Sequence, residues 1–199
     1  MNPLSSPLSR RLFLGASAGV AGAASLCQGQ AQARPGKGEQ GWVMSTLNRM
    51  TEDEKLGQLF VQEIYGSDVT TPDKRNLPQY GLARPDEIMA KFHFGGAIYF
   101  GWTDSLATPR QIAELSNGLQ QAAMKAAKKA PVPLQISVDQ EMGVVTRFDE
   151  PATQFPGSMA LGAGRSTTDA HLAAAITGQE LRAVGMNVNF APVSDANVN

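Results

Sequence analysis

The chain has 199 residues, 42% of them hydrophobic, with 17 basic and 18 acidic side chains and a formal net charge of −1. That apolar content is enough for one globular core and excludes a disordered chain, which would carry fewer apolar residues and more net charge. The densest basic cluster is Lys125, Lys128 and Lys129 on what reads as a solvated helix face, so nothing favours a nucleic-acid partner.

Residues 1–33 read as an export signal rather than as part of the fold. Ser9-Arg10-Arg11-Leu12-Phe13-Leu14 resembles the twin-arginine signal of bacteria. Leu12 to Leu26 carries no charge and is rich in Ala and Gly, but it is too short and too weakly apolar for a membrane span. No stable membrane anchor is therefore expected. Ala31-Gln32-Ala33 supplies the small-x-small pattern of a cleavage site. A secreted or periplasmic protein, folded before export, is the expectation. Acylation at Cys27 would need a small residue before it, where Leu26 stands. As the single cysteine, Cys27 can form neither an internal disulfide nor a structural zinc site. His93 and His171 lie far apart and no HExxH occurs, so a metal site has no local support.

Residues 34–41 read as a polar linker. Trp42 to Met50 reads as a first helix with Trp42, Leu47 and Met50 as its apolar set. Thr51 and Glu54 have capping-box spacing, and Leu56, Leu59 and Phe60 follow at helical intervals that predict a core-facing side. Residues 65–84 contain Pro72, Pro78 and two glycines without a period, and read as a long surface loop. Pro85 to Phe92 reads as a short helix opened by proline. Gly96 to Phe100 is a β run. Thr108-Pro109 opens a helix to about Lys129, with Ile112, Leu115, Leu119 and Met124 as its stripe. Leu134 to Val138 is a second β run. A Pro- and Gly-containing loop leads to a helix over residues 168–184, with Leu172, Ile176 and Leu181 on one face and Gly185 at its end. Asn187 to Val193 is a third β run.

Apolar strands alternating with helices of crossover length predict an α/β fold with parallel strands. A Rossmann-like sheet and a (β/α)8 barrel both fit the pattern. No GxGxxG follows a strand, so a dinucleotide site lacks support. A barrel needs about 250 residues, so a barrel here would be an incomplete one.

Ligands in parallel α/β folds sit beyond the carboxyl ends of the strands. Three strand ends qualify: Phe100 leads into Gly101-Trp102-Thr103-Asp104, Val138 into Asp139-Gln140-Glu141, and Val193 into Ser194-Asp195. Asp139 directly follows an apolar strand and Arg147 lies eight residues on. A carboxylate accepting two hydrogen bonds and a guanidinium offering a fixed fork of donors can grip sugar hydroxyls. The same pair could instead be a structural ion pair that closes the loop. Trp102 could stack on a sugar ring or pack within its own loop.

Pro131 to Phe148 resembles the PVPLLISVDQEGGRVQRF run of glycoside hydrolase family 3. Residues 155–162 are similar to its FPPAMALGA, residues 180–187 to its ELRALGIN, residues 189–193 to its FAPVLD, residues 50–58 to its MTLEEKIGQ and residues 94–100 to its GGVILF. The motifs run in the family's order from about residue 42 to the end, and their flavour is closest to the β-N-acetylhexosaminidase branch. The resemblance implies the N-terminal portion of a (β/α)8 barrel over residues 42–199. It also implies retaining hydrolysis of β-glycosides of cell-wall or chitin type, with no metal or organic cofactor. Carried over residue by residue, it makes Asp139 and Arg147 substrate-binding residues, with Glu141 and Asp195 structural. It puts the nucleophile and the acid/base histidine beyond Asn199, so no catalytic residue is expected in this chain. Met142 stands where the family usually has glycine and Val144 where it often has arginine, which leaves the sugar preference open. A non-catalytic sugar-binding or vestigial protein of the same fold is the alternative expectation.

Overall fold

The computed structural model describes residues 37–127 and 129–194. The expected signal segment, residues 1–33, and Asp195 lie outside the described residues. Helix α1 (Lys37–Arg49) begins inside the expected linker, so that residues 37–41 are helical, and Trp42 and Leu47 are exposed rather than core residues. Contacts divide the chain into residues 1–45 and residues 46–199.

Helix α2 (Glu52–Gly57) starts on the expected capping box. The Thr51 hydroxyl accepts the Glu54 N–H at 3.2 Å and the Glu54 carboxylate accepts the Thr51 N–H at 2.8 Å. The helical spacing of Leu56, Leu59 and Phe60 misleads, because all three are exposed. Gly57 ends the helix against the next one. A Cβ on Gly57 would lie 2.3 Å from the carbonyl oxygens of Phe92 and His93, so only glycine permits that approach. The chain then turns into a strand that the sequence reading missed, β1 (Val61–Glu63).

Residues 65–84 are an ordered excursion rather than a featureless loop, with a 3-10 turn at Lys74–Asn76 and helix α3 (Leu77–Tyr80). Asn76, fully buried, holds it closed. Its amide accepts the Tyr65 N–H at 3.0 Å and donates to the carbonyls of Tyr65 at 2.9 Å and Ala83 at 3.2 Å. Tyr80 adds a hydrogen bond to the Glu63 carbonyl at 2.5 Å, and burial first, then the charge of Glu63, pushes its phenol up to about 12.

Helix α4 (Pro85–Phe92) matches its sequence reading, and His93 caps it in the left-handed region at φ 52°. Strand β2 (Gly96–Tyr99) is followed by a 3-10 turn at Gly101–Thr103. Helix α5 (Pro109–Ala126) has Thr108 as N-cap, its hydroxyl accepting the Gln111 N–H at 3.2 Å. Ile112, Leu115 and Leu119 are buried, each worth about 1.5–3 kcal/mol if fully removed from water. Met124, expected in the same stripe, is exposed. Strand β3 (Gln135–Val138) follows, then helix α6 (Ser158–Ala163), which was not foreseen, and helix α7 (Thr167–Ala183). The buried face of α7 is Ala173, Thr177 and Leu181; Leu172 and Ile176 are exposed. Gly185 at φ +87° closes a Schellman turn in which Met186 donates to the Leu181 carbonyl at 3.0 Å and Gly185 to that of Arg182 at 3.1 Å. The last strand, β4, is short (Val188–Asn189).

All neighbouring strands pair in parallel, in the spatial order β1-β2-β3-β4. Parallel crossovers are right-handed, so an unreversed order winds every crossover helix onto one face. In a doubly wound Rossmann order the fourth strand would instead return to the far side of the first. Ala97 and Ile136, paired in register, lie in the core cluster with Ile112, Leu115 and Leu119 of α5. Side chains alternate between faces, so the opposite face carries Glu63, Ile98 and Ser137 in one row.

Candidate functional site

The site is assembled at the carboxyl ends of β1, β2 and β3. Tyr99 and Val138 are register partners. The Tyr99 hydroxyl meets the Ser116 hydroxyl of α5 at 3.1 Å, which fixes that row on the helix side; the same burial pushes the Tyr99 phenol well above its ordinary value. The next residues, Phe100 and Asp139, therefore turn to the face away from α5, the face that Glu63 also occupies. Adjacent strands are about 4.8 Å apart, so Asp139 and Phe100 leave the sheet as lateral neighbours.

The segment after Asp139 is a tight loop. The Glu141 N–H donates to the Val145 carbonyl at 3.0 Å, and Met142 and Gly143 both have left-handed backbones, at φ +67° and φ +70°. A Cβ at Gly143 would come within 3.0 Å of the Gly157 Cα. Gln140, buried at 2% exposure, is the internal strut of this loop. Its side-chain oxygen accepts the N–H groups of Arg147 at 2.8 Å and Phe148 at 2.9 Å, and its amide nitrogen donates to the Phe148 carbonyl at 2.9 Å. The Gln140 backbone is in turn clasped by the Asn189 amide at 2.9 and 3.0 Å. Asn187 does the same at the other end of β3, bonding Ile136 and Leu134 at 2.8 and 2.9 Å.

Asp139 and Arg147, the two sequence-predicted substrate residues, are both partly buried on this loop. Among the described residues neither enters an ion pair, so the structural ion pair that the sequence left open is absent there. Arg147 Nε is buried without a hydrogen-bond partner among the described residues, and its Cζ lies 5.9 Å from the Trp102 ring centroid. A buried donor left unpaired costs about 1–3 kcal/mol, so an acceptor arriving from outside would recover that cost. Val144 is fully exposed and makes no contact that could replace a charged residue there.

Trp102 sits beside Arg147. Its ring stacks on Phe100 at 4.2 Å and an interplanar angle of 10°, and its Nε1–H donates to Glu63 Oε2 at 3.0 Å. Its carbonyl accepts from Arg75 Nη1 at 3.2 Å. Arg75 is itself fixed by Asp73, by a close contact with Asp104 and by the Tyr65 ring, 4.6 Å from its Cζ. The Arg75 guanidinium holds the Asp73 carboxyl below its usual range.

The sequence named the two loop residues, and the structure adds Gln140 and Asn189 as supports of their loop and Glu63 and Arg75 as supports of Trp102. Among the described residues no group of three or more His, Cys, Asp or Glu side chains is placed to hold a metal ion. A cavity of about 620 Å³ opens on another side of the loop, lined by Met142, Phe155, Leu161, Ala173 and Pro192 among others; neither Asp139 nor Arg147 lines it.

Comparison with known proteins agrees with this geometry. The model of the glycosyl hydrolase family 3 N-terminal domain matches residues 51–199. The chain is 40% identical over 117 residues to β-hexosaminidase A of Pseudoalteromonas piscicida, covering 57% of this chain and 19% of that protein. It is 36% identical over 160 residues to a β-N-acetylglucosaminidase/β-glucosidase of Cellulomonas fimi, covering 79% and 23%. The solved structure of a family 3 β-N-acetylglucosaminidase from Paenibacillus superposes with a TM-score of 0.59 at 41% identity, over 72% of this chain and 24% of that one. The chain therefore spans about a fifth to a quarter of the length of these relatives. With a family match over most of its length, and with parallel strand ends that present a carboxylate and an arginine on one loop, the chain belongs to glycoside hydrolase family 3.

Proposed function

We propose that the polypeptide is a retaining β-N-acetylhexosaminidase and that this chain supplies its sugar-gripping loop. In this reading the four parallel strands are the first staves of a (β/α)8 barrel, whose ligands bind at the carboxyl ends of the strands. The observation that carries it is the pair Asp139 and Arg147, both partly buried on one strand-end loop and neither engaged in an ion pair. An ionised Asp139 can accept from two neighbouring hydroxyls, and Arg147 can donate to one or two more. The hydrolysis itself would use a carboxylate nucleophile and an acid/base group about 5–5.5 Å apart on either side of the anomeric carbon. Those groups are assigned to residues outside this chain; Asp139 and Arg147 orient the ring that they attack.

The twin-arginine-like segment supports a further part of the reading, export of the folded protein to the periplasm or medium. Among the described residues no helix is long and apolar enough to cross a membrane.

The test is a panel of p-nitrophenyl β-glycosides given to the intact polypeptide. Release from the N-acetyl-β-D-glucosaminide, with the β-anomer of the sugar appearing first by NMR, is the expected result. No release from any member of the panel would sink the enzymatic reading. Saccharide binding without release would favour a non-catalytic sugar-binding protein of the same fold.

A further inference from the structure

Trp102 is 52% exposed, yet it is held more firmly than an exposed side chain ordinarily is. Phe100 lies against its ring, Glu63 holds its N–H and Arg75 holds its carbonyl. The next residue, Thr103, is fully buried and bonds the Phe100 carbonyl through its hydroxyl at 2.7 Å. Fixing a side chain before a ligand arrives removes part of the entropic cost of binding it. A large indole kept open to solvent in a fixed pose, beside a guanidinium with an unpaired buried Nε–H, has the form of a recognition surface.

The chemistry of that surface selects among sugars. A pyranose presents hydroxyls around its rim and C–H bonds on its faces. Asp139 and Arg147 suit the rim, while the indole suits a face. In the gluco configuration every ring hydroxyl is equatorial, so both faces keep an unbroken C–H patch. In the galacto configuration the axial 4-hydroxyl interrupts the β face; with that face of the ring laid on the indole, the hydroxyl would have to be desolvated there, where no partner awaits it.

We propose that Trp102 is a specificity-determining contact, an apolar wall beside Asp139 and Arg147 that favours gluco- over galacto-configured N-acetylhexosaminides. This rests on the reading of the polypeptide as an N-acetylhexosaminidase. Glu63 and Arg75 are its positioning residues, acting on the sugar only through the indole.

The experiment compares kcat/KM of the intact polypeptide on p-nitrophenyl N-acetyl-β-D-glucosaminide and on the corresponding galactosaminide, for wild type, Trp102→Ala and Trp102→Phe. The ratio of the two should fall about tenfold in Trp102→Ala, the scale of discrimination that apolar contacts supply. It should fall less in Trp102→Phe, which keeps a ring. Circular dichroism identifies any variant that fails to fold. If Trp102→Ala is one, Trp102→Phe and Glu63→Leu carry the test, since the first keeps a ring and the second removes the acceptor of the indole N–H. An unchanged ratio in the folded variants, whether both activities fall together or neither falls, overturns the proposal and leaves the glycosidase reading standing. A wild type that cleaves neither substrate overturns both.

Discussion

The side-chain oxygen of Gln140 accepts the backbone N–H of Arg147 at 2.8 Å, and the same oxygen takes the Phe148 N–H at 2.9 Å. Seven residues of loop are thereby closed onto the residue next to Asp139, and the two proposed sugar contacts are held in one frame. Gln140→Ala leaves buried N–H groups and a carbonyl unpaired, at about 1–3 kcal/mol each before relaxation. The expected loss of stability is about 3 kcal/mol in total, read as a fall in melting temperature. Arg147 should also drift, and a displacement of about 1 Å can cost on the order of 100-fold in rate. A variant with wild-type stability and wild-type kcat/KM would show that the strut does nothing.

Asp139 and Arg147 should behave as substrate contacts rather than as fold elements, because the described structure gives them no ion pair to lose. Hydrogen bonds to charged groups contribute about 1.5–3 kcal/mol, so Asp139→Ala should lower kcat/KM roughly 10- to 150-fold. KM should rise and kcat fall, since contacts to the ring act in both ground and transition states. Arg147→Lys keeps the charge but loses the planar fork and the buried Nε–H, and should also raise KM. Melting temperatures within a degree or two of wild type would accompany both; a large loss of stability in either would mark a structural role instead.

Met142 reverses an ordinary preference. In most positions glycine is less stable than alanine by about 0.5–1 kcal/mol. At φ +67° a residue with a Cβ meets a penalty of about 1–2 kcal/mol that glycine avoids. Met142 is also 9% exposed, so either truncation loses buried apolar surface. Met142→Gly and Met142→Ala should both be less stable than wild type, with the glycine variant ahead of the alanine variant by about 1 kcal/mol. Urea unfolding of the pair measures this, and alanine ahead of glycine would contradict the left-handed backbone.

The 65–84 excursion should respond to acid. Hydrogen bonds from Thr71 and Thr70 outweigh the cost of partial burial and hold Asp68 at about 2, below its ordinary 3.8. The backbone donors lie at 2.8 and 2.7 Å. A carboxyl whose pKa is depressed on folding stabilises the folded form fully above the unfolded value and loses that contribution as pH falls through the folded value. The excursion should therefore loosen between about pH 4 and pH 2. Thermal melting followed across this range should show a smaller pH dependence for Asp68→Asn than for wild type. Equal slopes would mean that Asp68 is not coupled to folding.

Much of the local structure was legible from residue chemistry. The Thr51–Glu54 capping box, Pro85 at the start of α4, the Thr108-Pro109 start of α5 and the Gly185 stop all rest on interactions within a few residues. Errors arose where a local period was real but its tertiary partner was absent. Leu56, Leu59 and Phe60 have helical spacing, yet the helix stops at Gly57, a position where the backbone of α4 passes too close for any Cβ. Leu172 and Ile176 look like a core stripe, but the contact that α7 makes is through Ala173, Thr177 and Leu181.

The sequence by itself determined the parallel α/β class and the family, and it singled out Asp139 and Arg147 as candidates, because motif order and a polar residue directly after a buried strand are written along the chain. Only the tertiary structure decided the unreversed strand order, the first strand, and what steadies the site. Gln140, Asn189, Glu63 and Arg75 reach their partners across as many as 49 residues of chain. No periodicity records such pairings; they exist only once the parallel strands bring their carboxyl ends side by side.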